Sequence, residues 1–101
     1  MYLVELLLPL YDNQGRRFAE SCHAEVRQTL IEKFGGMTAF ARARAEGAEQ
    51  AHGSERRDDL IVLEVMTETL DEPWWKAYRK SLEATFRQDR IIVRAVRVTL
   101  L

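Results

Sequence analysis

Asp59–Thr67 reads DLIVLEVMT, and Tyr2–Leu10 reads YLVELLLPL. Each stretch is almost wholly apolar, rich in branched residues, and broken by one glutamate, Glu64 and Glu5. Runs of this length and composition read as strands buried on both faces. Small antiparallel sheets usually leave one face wet, so these two strands predict a sheet whose second face is also apolar. Alternation puts Tyr2, Val4, Leu6 and Leu8 on the core side of the first strand, with Leu3, Glu5, Leu7 and Pro9 opposite. In the later strand Ile61, Leu63 and Val65 share one face, and Val62, Glu64 and Met66 the other.

The segments around these strands complete the pattern. Tyr11-Asp12-Asn13-Gln14-Gly15 is a turn cluster. The spacing of Ala19, Val26, Leu30 and Phe34 predicts a helix from about Arg16 to Phe34, closed by Gly35-Gly36. His23 falls inside its apolar stripe. Met37–Arg44 alternates, but its alanines and arginines suit an edge strand. Residues 45–58 are polar and aperiodic, which predicts a disordered connection or a mobile flap, with disorder favoured. A second helix follows Leu70. Asp71 is suited to its N-cap, Pro73 to its first turn, and Leu70 with Trp75 to a hydrophobic staple. A last strand spans Arg90–Leu100, where Ile91 and Val93 are out of phase with Val96 and Val98; a bulge or two buried faces would explain this.

The bulk composition fits one domain of 101 residues, 47% hydrophobic, with a modest core. Fifteen basic residues against 16 acidic ones give no reason to expect nucleic acid or an anionic membrane as a partner. The distribution is uneven: residues 71–101 hold seven basic and four acidic residues. Solvated helix faces account for this. The single Cys22 suits a reducing compartment, and the opening apolar run carries Glu5 and is too short to span a bilayer. A cytoplasmic protein is expected.

The order β-α-β-β-α-β predicts an α+β domain of the ferredoxin-like pattern, with antiparallel strand order 4-1-3-2 and both helices on one face. The opposite face then presents Leu3, Leu7, Val62 and Met66, and an apolar patch of that kind marks an interface. A homodimer through this face is expected. Glu5 would pair with Arg94 and Glu64 with Arg42, on the flanking strands; left unpaired there, the carboxylates would be costly. A wet face with four ordinary surface charges is the alternative.

Candidate chemistry lies on the helix side. His23 could act as general base or ligand anchor, or be a core histidine bonded to a carbonyl or to Tyr78. Trp74, Trp75 and Tyr78 could line a pocket for a flat molecule, with Arg79 taking a carboxylate. Equally, the aromatics could be core and Arg79 a side chain reaching to water. Tyr11, Asp12, Arg16 and Arg17, at a strand-to-helix junction, could hold an anion or form a solvated turn. Glu20 and His23 have the spacing of carboxylate-bridged metal sites, but the second copy such sites need is missing. Cys22 and His23 point about 100° apart on a helix and form no dyad. There is no Cys-x-x-Cys, phosphate loop or dinucleotide fingerprint. No metal or cofactor is expected.

The whole-chain pattern resembles the ferredoxin-like superfamily, and the sheet with two apolar faces is similar to its dimeric α/β-barrel branch. That resemblance implies a small cofactor-independent monooxygenase- or isomerase-like enzyme acting on an aromatic or otherwise flat apolar substrate. The alternative is a non-catalytic ligand-binding or protein-interaction module.

Overall fold

A computed structural model describes residues 1–42 and 60–101, with residues 39–42 described by their backbone only. The expected flexible loop, 45–58, lies outside the described residues. The elements are β1 (Tyr2–Pro9), α1 (Glu20–Phe34), β2 (Thr38–Arg42), β3 (Leu60–Thr67), α2 (Glu72–Thr85) and β4 (Ile92–Arg97). Every pairing is antiparallel, and the hydrogen-bonded order is β2-β3-β1-β4.

β1 pairs with β3 along its whole length, from Tyr2 opposite Thr67 to Pro9 opposite Leu60. Pro9 therefore sits at the last rung, where a missing amide donor costs least. Val4, Leu6 and Leu8 of β1 are buried together with Leu63 and Val65 of β3. Val26 and Leu30 of α1, Trp75 and Leu82 of α2, and Phe18, Phe86 and Ile91 outside the helices and strands complete that cluster. Burying each such side chain contributes about 1.5–3 kcal/mol.

The sheet departs from the expected fold at its second strand, which begins at Thr38 and not at Met37. Thr38–Arg42 pairs along the β3 edge, and residues 43–44 of the expected strand lie outside the described residues. Within one protomer the described strands form an open α+β layer.

Two element starts also move. α1 begins at Glu20 and not near Arg16. The Asp12 carboxylate accepts the amides of Gln14 (2.9 Å) and Arg16 (2.8 Å), the Arg16 carbonyl accepts the Asp12 amide, and the Phe18 amide donates to Leu10. These bonds hold residues 12–18 out of the helix. α1 ends as read, with Gly35 left-handed at φ +82° and its amide bonded to the Ile31 carbonyl. β4 pairs without interruption, Ile92 opposite Leu7 through Arg97 opposite Tyr2, so no bulge forms there. Ile91 precedes the strand and is buried, its amide donating to Glu83 Oε2 at 3.1 Å.

Candidate functional site

His23 is 2% exposed. α1 carries it against the end of β1, where its Nε2 donates to the Pro9 carbonyl at 2.9 Å. A carbonyl only accepts, so Nε2 holds the proton. The Phe86 ring lies 5.1 Å away and the Phe18 ring 6.4 Å, centre to centre. His23 lines neither of the two cavities described below. His23 is thus a buried histidine satisfied by a backbone carbonyl, outside the lining of these two cavities.

Three of the four expected pocket residues form one aromatic cluster: Trp75 meets Trp74 edge-on at 4.9 Å, lies 6.3 Å from Tyr78, and stacks on Phe34 of α1 at 5.2 Å. Trp74 and Tyr78 stack on each other at 4.9 Å and face α1: the Trp74 ring meets Phe34 edge-on at 5.6 Å, under Lys33 Nζ at 4.7 Å. Burial raises the Tyr78 phenol above its ordinary value, opposed by a hydrogen bond with Thr29. Trp75 and Arg79 also line a cavity of about 320 Å³ between α2 and β4. Val4, Leu70, Val93 and Ala95 supply its apolar walls, and Glu72, Lys76 and Arg94 its other charges. Glu72, Lys76 and Arg79 follow at steps of four and three, one stripe of α2. That spacing was readable in the sequence; the strand facing it was not.

The residues expected at the dimer face do share one side of the sheet. Directly opposed positions lie on the same face, so Leu3, Met66 and Val96 form one row, and Leu7, Val62 and Ile92 another. Between them runs a polar row: Thr38, Glu64, Glu5 and Arg94. Arg94 Nε donates to Glu5 Oε1 at 2.8 Å, within the ion pair read from the sequence. For the second expected pair only the backbone register is described: Glu64 lies opposite Thr38, and Arg42 opposite Leu60, four residues along the strand. Glu5 and Glu64 themselves are directly opposed. Val62 is buried, whereas Met66, Ile92 and Val96 are 50%, 44% and 49% exposed. A second cavity, about 310 Å³, opens beside this row and is lined by Leu3, Gly35, Thr38, Glu64 and Met66 among others.

The turn before α1 is not an anion site. Asp12 already occupies its amides, and the Arg16 amide bond, countered by partial burial, holds the Asp12 carboxyl below its usual range. Among the described residues no cluster of metal ligands occurs, and no helix is long and apolar enough to cross a membrane.

No protein-family model matches this chain, and no curated protein does. Among solved structures it is similar to a phage SAM lyase in complex with S-methyl-5'-thioadenosine, at a TM-score of 0.59 and 13% identity, covering 94% of this chain and 79% of that one. At that identity the likeness concerns the fold: a small α+β chain with an antiparallel sheet and two helices.

Proposed function

We propose that this chain is a small-molecule-binding protein whose ligand seats between α2 and β4, and that its copies associate through the sheet face that the helices leave uncovered. The observation that carries the binding reading is Trp75: an indole buried in the core yet forming one wall of an open cavity of about 320 Å³. That volume is at the lower end of the range of small-molecule sites. What favours association is the exposure of Met66, Ile92 and Val96 around a charged row.

Binding is preferred to turnover because of His23. A cofactor-independent oxidation or isomerisation of a flat apolar substrate needs a base within reach of it, and His23 is bonded to Pro9 away from the cavity. The phage enzyme's ligand, S-methyl-5'-thioadenosine, enters only as a test compound.

Trp74 and Trp75 are the two tryptophans of the chain, so Trp74→Phe isolates the emission of Trp75. This variant is titrated with 2-naphthoate, a quinone, haem and S-methyl-5'-thioadenosine while emission and melting temperature are followed. At least one compound is expected to change both, saturably. A melting shift with constant Trp75 emission would place the site elsewhere, and no response to any compound would end the binding reading.

A further inference from the structure

We infer that the cavity between α2 and β4 selects organic anions, specifically a planar carboxylic acid whose ring lies along Trp75 and whose carboxylate meets Arg79 and Lys76. This inference rests on the binding reading above and assigns it a ligand class.

The charges that line the cavity are three cations, Lys76, Arg79 and Arg94, against one carboxylate, Glu72. Two more carboxylates stand behind them. Arg94 is paired with Glu5 through Nε, and Arg79 Nε lies 3.6 Å from Glu83 Oε2. The two arginines are not equally satisfied. The Arg94 bond, at 2.8 Å, is a full hydrogen bond. Glu83 Oε2 instead accepts the Ile91 amide at 3.1 Å, and Arg79 Nε is buried with no hydrogen-bond partner among the described residues. Arg79 is therefore held from behind by a charge it does not hydrogen-bond. Its side chain stays 39% exposed and lines the cavity.

An incompletely neutralised guanidinium with its outer part accessible favours a flat two-oxygen acceptor, because a carboxylate matches its fork. Lys76, one turn before Arg79 and exposed, adds a second positive charge on the same stripe. Val4, Trp75 and Val93 supply the apolar wall that a bare inorganic anion would not use. A flat acid matches both halves of this lining.

The test is isothermal titration of the whole chain with 2-naphthoate and, separately, with 2-naphthamide, which keeps the ring and removes the charge. The acid is expected to bind at least about tenfold more tightly, the equivalent of one charge-assisted hydrogen bond. Arg79→Gln and Lys76→Gln should each remove much of that preference while leaving amide affinity nearly unchanged. Raising salt should weaken the acid alone. Because Arg79 is partly buried, Lys76→Gln keeps the test informative if Arg79→Gln fails to fold. Equal affinity for acid and amide would overturn the anion inference and leave the binding reading standing. Binding of neither compound, with other ligands still affecting Trp75, would also overturn it, and silence to every ligand would remove both.

Discussion

At the scale of single residues, His23 and Tyr78 define what the helix side of this protein does. His23 obeys the rule that a buried polar group finds a partner, and its partner is a backbone carbonyl at a strand end. His23→Ala would empty a core position and strand the Pro9 carbonyl, costing about 2–4 kcal/mol. Urea denaturation checks this, and ligand affinity of the protein that remains folded should be unchanged. Tyr78 carries a pH dependence. Its folded phenol titrates above the ordinary value because burial disfavours the phenolate. The unfolded chain therefore loses its proton first. The stabilisation is intact below the ordinary value of 10.0 and is lost as pH rises through the folded value. Tyr78→Phe should remove that alkaline loss, read as the change in denaturation midpoint between neutral pH and about pH 11. The sequence placed both residues on inward stripes, but it could not say that Pro9 would lie beneath one of them. That proximity arises from the pairing of helix to strand end, which no local spacing encodes.

At the scale of elements, caps and registers separate what was legible from what was not. The start of α2 was legible because its signals are local: Asp71 accepts the Trp74 amide at 3.2 Å, and Pro73 occupies the first turn. Asp71→Ala should cost about 1 kcal/mol, measured by thermal denaturation. The start of α1 was misread because Asp12 bonds forward to Gln14 and Arg16, a competing local solution. The last strand looked out of phase because its apolar residues fall on both faces of one continuous ladder: Val93 lies opposite Leu6 on the core side, and Ile92 and Val96 opposite Leu7 and Leu3 on the other. Ile91, a buried residue before the strand, belongs to the core. Ile92 and Val96 thus join the uncovered face, which the sequence reading had not assigned to them. The Glu5–Arg94 pair followed from strand adjacency, while the register sets Arg42 opposite Leu60 and Thr38 opposite Glu64. Arg94→Ala would leave Glu5 half-buried directly opposite Glu64. A loss of about 1–2 kcal/mol is expected, and lower pH should reduce it as the carboxyls are protonated.

At the scale of the whole molecule, one sheet face is covered by two helices and the other by nothing within the described residues. Exposed Met66, Ile92 and Val96 surround a row that ends in Arg94 on one side and carries Glu64 on the other. Two such faces laid together with their rows reversed would bring cation to carboxylate. Sedimentation at micromolar concentration is expected to give a dimer. Met66→Lys combined with Val96→Lys should yield monomer with an unchanged helix and sheet spectrum. A wild-type chain that sediments as monomer throughout would refute the association.

The sequence by itself determined what depends on neighbours along the chain: the alternation of β1 and β3, the stripes of both helices, the cap at Asp71 and the stop at Gly35. It also determined that the sheet would carry apolar residues on two faces, since alternation with both phases apolar admits no other reading. Only the tertiary structure decided what depends on distance across the chain. It turned His23 to the Pro9 carbonyl, stacked Trp75 on Phe34 while giving it and Arg79 a cavity shared with β4, and set Glu64 beside Glu5. The physical reason is that register and helix placement follow from packing many side chains at once, and each of these contacts joins segments separated by a turn, a strand or a helix.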